Sequence, residues 1–442
     1  MKHDFINDPR FKGIQPLNPK ALLASPTMHG EEMAYMTKAY NSGWMTTVGS
    51  NIDELEKLAQ SYFGKQCVAL STGTAAIHLA VKLAAEKIYS SSSGICTPSG
   101  RGYGGALFGQ RVFCSDLTFD ATVNPIVYEG GEPIFVDSEY ETWNMDPDAL
   151  RTAFKLYPDV KIVVFVHLYG NPGKIGEIKE ICEEHGAILI EDAAESLGAM
   201  VEIADLNVLT GCVGDYGIIS FNGNKIITGS SGGMLIVPDE YSYNKAKKWS
   251  TQSREAAPWY EHEELGYNYR MSNVIAGIVC GQWPYLDTHI NQKIEIYKQY
   301  KEGLADLPIS MNPMSENGNY WLSCGLIDQD RMTNQARSNR NTVYEVEGGK
   351  SCPSEVLEAL SSFGAEGRPI WKPMHMQPMY SSNGFVTRSG SGRGISNAYI
   401  KNDEYIAVST DLFNRGFCLP SDNKMNTKQR ETVVEIVSRC FK

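Results

Sequence analysis

The chain reads Ser220-Phe-Asn-Gly-Asn-Lys-Ile-Ile-Thr-Gly-Ser-Ser-Gly-Gly233 around a single lysine, Lys225. Residues with strand character precede the lysine at Tyr216–Phe221 and follow it at Met234–Val237. Glycines on both sides of the lysine let the backbone come close to a ligand. Two interpretations follow: Lys225 is a surface lysine in a glycine-rich turn, or it is an amine that bonds covalently to a carbonyl compound. The rest of the chain decides between them.

The length and charge of the chain narrow the class of protein. It has 442 residues, 42% hydrophobic and 21% charged, which is typical of a globular protein with a large core or two domains. The net charge of -12 argues against non-specific nucleic-acid binding, since no broad basic surface is available for phosphates. A small anionic ligand needs only a local site and is not excluded. We expect no metal site.

Cysteine usage and the N-terminus indicate the compartment. Ten cysteines are scattered with no C-x-x-C spacing, which favours reduced thiols in a reducing environment. Met1–Lys20 lacks the apolar core of a signal peptide, and no apolar run approaches the roughly 20 residues that span a bilayer. We therefore expect a cytoplasmic protein without membrane contact, and a loose arm over residues 1–25.

A candidate anion site follows the first predicted strand, Gln66–Leu70. The strand runs into Ser71-Thr-Gly-Thr74 and then into the apolar face of a helix. The first N–H groups of a helix have no acceptor within it, and the helix dipole favours negative charge there. The alternative is a simple N-cap, because Ser and Thr also cap helices that bind nothing.

A glycine pattern between Tyr89 and Gly109 resembles a dinucleotide-binding motif in form only. Gly100-Arg-Gly-Tyr-Gly-Gly105 matches G-x-G-x-x-G, but it follows a serine-rich loop rather than a strand, and no amphipathic helix opens from it. We interpret Tyr89–Gly109 as an inserted flexible loop.

Strands and helices alternate from Arg111 onward, which predicts an α/β fold with a mainly parallel sheet and right-handed crossovers. Ligands collect at the carboxyl ends of the strands of such a sheet. The candidate site residues all fall just after predicted strands; they are Ser71–Thr74, Phe119, His167, Asp192 and Lys225. A long helix over Tyr285–Gly303 is predicted to lead into a second domain.

Together these features match the needs of pyridoxal phosphate. Its phosphate binds helix N–H groups and hydroxyls, and its flat ring stacks on an aromatic side chain such as Phe119. Its ring nitrogen must keep a proton, which a buried carboxylate such as Asp192 favours. Its aldehyde reacts with an amine, the role available to Lys225.

Several segments, in order, resemble the DegT/StrS family of sugar aminotransferases. They are Leu70-Ser-Thr-Gly-Thr-Ala-Ala-Ile-His-Leu-Ala, Glu191-Asp-Ala-Ala-Glu-Ser-Leu-Gly-Ala, Gly214-Asp-Tyr-Gly-Ile-Ile-Ser-Phe-Asn-Gly-Asn-Lys, Gly266-Tyr-Asn-Tyr-Arg-Met-Ser-Asn, Arg368–Tyr380 and Arg415-Gly-Phe-Cys-Leu-Pro420. The resemblance implies the type I, aspartate-aminotransferase-like fold. It implies a large cofactor-binding domain with an N-terminal arm over residues 1–285 and a smaller α+β domain over residues 286–442. It also implies a homodimer with active sites at the subunit interface.

The same resemblance assigns roles around the cofactor, with pyridoxamine phosphate as its intermediate form. Lys225 would bond to the cofactor aldehyde, Asp192 would pair with the ring nitrogen, and Phe119 would stack on the ring. The phosphate would be held by Gly73, Thr74 and Ser220, with Asn268 reaching in from the partner subunit. Glu195 falls beside the ring hydroxyl, where a carboxylate repels a phenolate oxygen unless one of the two keeps a proton.

The stretch Arg368-Pro-Ile-Trp-Lys-Pro-Met-His-Met-Gln-Pro resembles the subgroup that acts on UDP-linked 4-keto-6-deoxy-N-acetylhexosamines in bacterial glycan synthesis. Arg368, Lys372 and His375 would contact the diphosphate or the sugar; the alternative is a structured turn with prolines. His167 is either a substrate contact or a packed strand-end histidine. The resemblance predicts L-glutamate as amino donor.

Three other functions compete with transamination. A related sugar 3-dehydratase resembles this family but carries His in place of the lysine, so Lys225 argues against it. A non-catalytic cofactor-binding or regulatory protein would lack the lysine or add a DNA-binding segment, and neither is visible in the sequence. A nicotinamide-dependent oxidoreductase would have to use the glycine pattern at Gly100–Gly105.

Overall fold

The computed structural model describes residues 3–89, 105–338, 341–391, 398–399 and 407–442. Its α-helices are α1 (Glu31–Ser42), α2 (Ser50–Phe63), α3 (Gly73–Tyr89), α4 (Asn124–Tyr128), α5 (Pro147–Leu156), α6 (Ile175–Glu184), α7 (Glu240–Ser250), α8 (Asn273–Gln282), α9 (Leu286–Gly303), α10 (Pro353–Ser362), α11 (Val408–Arg415) and α12 (Thr427–Arg439). Its strands are β1 (Gln66–Leu70), β2 (Arg111–Ser115), β3 (Glu132–Val136), β4 (Ile162–Val166), β5 (Ile188–Asp192), β6 (Met200–Ile203), β7 (Leu206–Leu209), β8 (Tyr216–Ser220), β9 (Gly233–Val237), β10 (Ile309–Met311), β11 (Cys324–Ile327), β12 (Gln335–Ser338), β13 (Asn341–Tyr344), β14 (Arg368–Pro369), β15 (Phe385–Thr387), β16 (Gly390–Ser391), β17 (Ala398–Tyr399) and β18 (Gly416–Cys418).

The largest sheet has nine strands in the described part of the chain, in the order β1-β9-β8-β5-β4-β2-β3-β15-β16. The six strands from β8 to β15 run parallel, whereas β1, β9 and β16 pair antiparallel with their neighbours. The predicted α/β fold with a mainly parallel sheet is confirmed.

The central strands are buried on both faces, which explains their continuous β-branched and apolar sequences. Along β4, Ile162 and Val164 pack in the core layer that contains α3, while Val163 and Phe165 pack in the opposite layer against α5 and α6. Because successive side chains of a strand point to opposite faces, one strand stabilises both layers. This three-layer packing fixes where each strand ends, and therefore where the residues that follow it lie.

The N-terminal residues are not the loose arm that was expected. Phe5 and Phe11 are each 1% exposed and pack with residues of α9, α10 and α12. The ring of Phe11 stacks on Phe363 with centroids 5.6 Å apart. Sequence periodicity missed this because isolated aromatic anchors in an irregular segment leave no repeating pattern.

The C-terminal part of the chain forms a second, antiparallel sheet in the order β10-β11-β18-β14. It also returns to the large sheet, where β15 pairs in parallel with β3 through Phe385↔Phe135. The division at residue 285 stays a prediction. Residues 90–104 of the proposed inserted loop, Tyr89–Gly109, lie outside the described residues, as does most of its glycine pattern; Tyr89 ends α3, and Ala106 and Leu107 are buried in the core. Among the residues described, no helix combines the length and apolar character of a membrane span.

Candidate functional site

A cavity of about 780 Å³ lies where strands of the large sheet end. This volume is in the range of pockets that enclose small organic ligands. The structure brings most of the predicted site residues to its walls; they are Gly73, Thr74, Phe119, Asp192, Glu195, Ser220, Lys225, Arg368 and Lys372. Residues from both halves of the chain therefore meet in one site.

The candidate anion corner is built from β1, α3 and the end of β8. Helix α3 begins at Gly73, directly after a parallel bridge between Thr72 and Gly232. A Cβ atom added to Gly73 would lie 3.1 Å from the Cβ of Ser220, so the helix start and the serine are in close contact. The 17-residue helix points its first N–H groups and dipole at this corner, which suits a phosphate.

Substitution Gly233→Ala tests this corner. A Cβ at residue 233 would lie 2.3 Å from the carbonyl of Thr72 and 2.5 Å from the amide nitrogen of Gly73, so the start of α3 must move. We expect the free energy of unfolding in urea to fall by about 1–3 kcal/mol, and the affinity for pyridoxal phosphate, measured by absorbance titration, to fall with it. Gly223→Ala is the matched control, because its Cβ would meet only the carbonyl oxygen of Ser230, at 3.7 Å. Unchanged stability and affinity in Gly233→Ala would contradict the close packing.

Asp192 ends β5 and is 3% exposed. Its Oδ2 accepts a hydrogen bond of 2.7 Å from the hydroxyl of Thr122, and its Oδ1 accepts one of 3.1 Å from the amide of Ala194. Burial raises the pKa of Asp192, and the two hydrogen bonds and the charge of Lys225 oppose that rise. The result is a fixed, buried carboxyl group at the cavity wall that is suited to share a proton with a basic nitrogen.

Lys225 follows β8 in a turn closed by a 2.9 Å hydrogen bond from its amide to the carbonyl of Asn222. Its side chain is 13% exposed and its Nζ lies 3.7 Å from Oε1 of Glu195. The Nζ also lies 4.2 Å from the ring centroid of Trp321. The interpretation of Lys225 as a surface lysine is therefore wrong, because the amine lies inside the cavity between a carboxyl group and an aromatic ring.

Glu195 is buried, and its Oε2 accepts a 2.7 Å hydrogen bond from the amide of Tyr169. Burial raises the pKa of Glu195 to about 7, against the lowering influence of Lys225 and of the Tyr169 amide. A carboxyl group with this pKa keeps a proton in part of the population near neutral pH. This satisfies the condition under which a glutamate can lie beside a phenolic oxygen.

The raised pKa of Glu195 predicts how stability changes with pH. The unfolded carboxyl ionises near its ordinary value of 4.5, whereas the folded one holds its proton up to about pH 7. Stability gained by this protonation is complete below pH 4.5 and is lost as the pH rises through 7. Between those values, we expect the free energy of unfolding of the cofactor-free protein to fall by about 3 kcal/mol relative to Glu195→Gln.

Urea unfolding of both proteins from pH 4.5 to 7.5 measures this difference, and Glu202→Gln, at an exposed glutamate, controls for the substitution. A wild-type curve parallel to that of Glu195→Gln would show that Glu195 ionises normally.

Aromatic side chains form one wall of the cavity. Phe119 is 58% exposed, and its ring centroid lies 5.3 Å from that of Trp371. The Trp371 amide donates a 3.0 Å hydrogen bond to the hydroxyl of Tyr169, and the ring centroids of these two residues are 5.2 Å apart. An exposed phenylalanine on a cavity wall is typical of a surface that a flat ring covers. Trp321 and Trp371 were not predicted as site residues: no local motif marks Trp321, and in the stretch that contains Trp371 only Arg368, Lys372 and His375 were assigned roles.

Two predicted substrate contacts lie away from the cavity walls, which corrects their assignment. His167 is fully buried; its Nε2 donates to Glu191 Oε1 at 2.9 Å and its Nδ1 accepts from the Gly173 amide at 3.2 Å. His375 is also buried, with Nδ1 2.7 Å from Asp116 Oδ2 and its ring 3.9 Å from that of Phe385. His167 is therefore a packed histidine at the end of β4, as its packing alternative stated, and His375 is a buried histidine in the turn Met374–Met376.

Asn268 is exposed and pairs with Thr251 across an isolated bridge, rather than lining the cavity of its own chain. Its reach into a partner subunit's site stays a prediction.

The cavity fits pyridoxal phosphate in its donor and acceptor chemistry. It combines the start of helix α3 at Gly73, where the Ala75 amide donates to the Thr72 hydroxyl, an exposed aromatic face at Phe119, a buried carboxyl group at Asp192 and an enclosed amine at Lys225. Each of these groups matches the chemistry of one part of the cofactor.

Comparisons with known proteins agree with this geometry. The sequence pattern of the DegT/DnrJ/EryC1/StrS aminotransferase family matches residues 26–438. EpsN of Bacillus subtilis (strain 168), assigned by name as a pyridoxal phosphate-dependent aminotransferase, is 35% identical over 435 residues, 96% of this chain and 97% of EpsN. The GDP-perosamine synthase of Vibrio cholerae is 31% identical over 359 residues, 80% of this chain and 86% of that protein.

Among solved structures, PseC of Helicobacter pylori, an aminotransferase involved in the biosynthesis of pseudoaminic acid, superposes with a TM-score of 0.75. It is 17% identical, and the match covers 96% of this chain and 99% of PseC. This likeness confirms the predicted type I fold.

Proposed function

Since the chain belongs to the DegT/DnrJ/EryC1/StrS aminotransferase family, we propose that it moves the amino group of L-glutamate to a nucleotide-linked 4-keto-6-deoxy sugar, a UDP-linked N-acetylhexosamine. The chain is a pyridoxal-phosphate-dependent sugar aminotransferase. In the net reaction the sugar C=O becomes CH–NH₂ and glutamate becomes 2-oxoglutarate. We place this step in bacterial glycan synthesis.

The observation that carries the proposal is the enclosure of Lys225 with two buried carboxyl groups in one cavity. Pyridoxal phosphate, when bound, supplies an aldehyde that condenses with amines and a ring that withdraws electrons. Lys225 would hold the cofactor covalently and, once free, would carry a proton to and from the substrate carbon. Asp192 would hold a proton at the ring nitrogen. Glu195 would hold one at the neighbouring ring oxygen, consistent with its pKa of about 7.

The substrate side of the proposal rests on the rim of the cavity. Arg368 is exposed there and pairs with Glu366 at 2.5 Å, and Lys372 lines the same wall. Burial lowers the pKa of Lys372. An anion bound beside this amine would oppose that effect and favour its charged form. These two side chains are suited to a diphosphate. The aromatic wall at Phe119 and Trp371 offers apolar surface to a deoxy sugar or a base.

A homodimer with shared active sites is the proposed assembly. Large apolar side chains are exposed at Trp44, Met45 and Val48, and again at Trp259 and Tyr260. Clusters of exposed aromatic side chains are typical of surfaces that another chain covers.

We keep the division into residues 1–285 and 286–442 as a proposal, supported by the separate four-stranded sheet of the C-terminal part. The cytoplasm is the proposed compartment, consistent with free thiols at the nine described cysteines.

The proposal is tested with purified protein loaded with pyridoxal phosphate. Incubation with L-glutamate alone should change the cofactor absorbance and release 2-oxoglutarate. Addition of UDP-, GDP- and dTDP-linked 4-keto-6-deoxy sugars in parallel should then give an amino sugar by mass spectrometry, with the UDP-linked N-acetylhexosamine converted fastest. If the GDP-linked sugar were converted fastest, the assignment of a UDP-linked substrate would be wrong, and a GDP-linked sugar, as in the name of the Vibrio relative, would take its place. A dehydrated product without nitrogen would identify a sugar dehydratase and overturn the proposal.

A further inference from the structure

Trp321 contacts the lysine turn in two independent ways. Its indole Nε1 donates a 2.7 Å hydrogen bond to the carbonyl of Asn224, the residue before Lys225. Its ring lies under the amine of Lys225, with 4.2 Å from Nζ to the ring centroid. One side chain therefore holds both the backbone entering Lys225 and the charged end of that residue. It comes from a segment almost a hundred residues further along the chain.

Trp321 is itself held firmly. It is 2% exposed, and its amide donates to Oδ1 of Asn319 at 3.0 Å. The amide nitrogen of the Asn319 side chain donates to the carbonyls of Glu195 and Leu197 at 2.9 and 3.0 Å. The loop that carries Trp321 is thus fastened to the loop that carries Glu195. The indole and the carboxyl group that flank the amine keep a fixed separation.

We propose that Trp321 is the positioning residue of Lys225, holding the amine against its ring face and beside Glu195 whenever the lysine is not bonded to a ligand. This inference rests on the proposed role of Lys225 in transamination. The indole N–H fixes the peptide before Lys225, which limits the arc through which the side chain swings. The ring face attracts the charged amine. The side chain of the unbonded lysine therefore stays in one conformation instead of extending across the cavity.

The two contacts make separable contributions to the reactivity of the amine. A cation held on an indole face in a partly dry site is favoured enough to change its availability by about tenfold. Loss of one neutral hydrogen bond accounts for a change of a few-fold. Leu at residue 321 removes both contacts, whereas Phe keeps a ring and removes only the N–H donor.

The test uses cofactor-free protein and limited acylation with acetic anhydride at one pH, followed by peptide mass spectrometry. The rate of labelling of Lys225 is divided by that of Lys12, an exposed lysine outside the cavity. We expect the ratio to rise about tenfold in Trp321→Leu and about threefold in Trp321→Phe. Ile77→Ala is the matched control, since it opens the same cavity from a residue that packs in a different core cluster from Trp321, and its ratio should equal the wild-type value.

Steady-state kinetics of the enzyme with bound pyridoxal phosphate provide a second test of the role of Trp321. Trp321→Leu should lower kcat more than it changes KM for glutamate, and Trp321→Phe should recover most of the loss. A wild-type labelling ratio in folded Trp321→Leu overturns the inference, as does an equal rise in Ile77→Ala. Should Trp321→Leu fail to fold, the ratio in Trp321→Phe decides alone. Because labelling needs no turnover, a protein without transaminase activity but with the expected ratios refutes the proposed function and leaves the role of Trp321 standing.

Discussion

Replacement of Lys225 by alanine is expected to lower kcat by about 10⁴-fold or more, because it removes both the covalent anchor of the cofactor and the group that moves the proton. The fold should persist, since the lysine side chain lies at a cavity wall rather than in a core layer. Activity is followed with glutamate and the best ketosugar, and the cofactor absorbance shows whether the covalent bond forms. Lys372→Ala is the comparison, since it removes another cavity lysine; it should retain the absorbance and raise KM for the sugar.

Mixing two inactive proteins extends the same prediction to the assembly. If Asn268 completes the site of the partner subunit, Lys225→Ala and Asn268→Ala should each be impaired, and their mixture should regain activity after subunit exchange, since one site of each mixed dimer is intact. Full activity of Lys225→Ala alone would refute the mechanism. Absence of any regain, in a mixture shown by native mass spectrometry to contain mixed dimers, would refute the shared site.

Asp192→Asn should lower kcat by about 10²–10³-fold, because an amide cannot stabilise a proton on the ring nitrogen as a buried carboxylate does. The hydrogen bond from the Ala194 amide can persist, since Oδ1 of an asparagine still accepts it, whereas the asparagine NH₂ would have to donate to the Thr122 hydroxyl oxygen. The measurement is single-turnover reaction with glutamate in protein saturated with cofactor, which separates chemistry from cofactor affinity.

Thr122→Val is the matched control for Asp192→Asn, because it keeps the carboxyl group and removes the 2.7 Å hydrogen bond to its Oδ2, together with the 2.8 Å hydrogen bond between the hydroxyls of Thr122 and Thr118. We expect a loss of roughly tenfold, at the lower end of the contribution of one hydrogen bond to a charged acceptor. A Thr122→Val variant as impaired as Asp192→Asn would show that the geometry of the carboxyl group, rather than its charge, limits the reaction.

The residues that sequence analysis correctly placed near the cavity are those that lie at the end of a predicted strand. Asp192, Ser220 and Gly73 each follow or end a strand of the large sheet, and the topology of a parallel sheet gathers such residues at one edge. His167 also follows a strand, but its ring turns toward the buried Glu191 of the neighbouring strand. Strand position therefore predicts the neighbourhood of a side chain, whereas the face on which it lies depends on partners that only the folded chain reveals.

Trp321 escaped prediction for a different reason. It reaches the cavity through contacts between segments far apart in sequence, such as the hydrogen bond from its indole to Asn224. No spacing or local composition records such a contact. The same holds for Phe5 and Phe11, whose burial depends on helices near the opposite end of the chain.

The pairing of β15 with β3 has a consequence for how the protein is made. Strand β3 ends at Val136, but its partner on that side, Phe385–Thr387, is synthesised about 250 residues later. During translation the outer edge of β3 therefore presents free backbone groups to its surroundings, a known route to aggregation. Phe5 and Phe11 must likewise wait for residues of α12. The growing polypeptide, before these late segments are made, is therefore the form most exposed to aggregation.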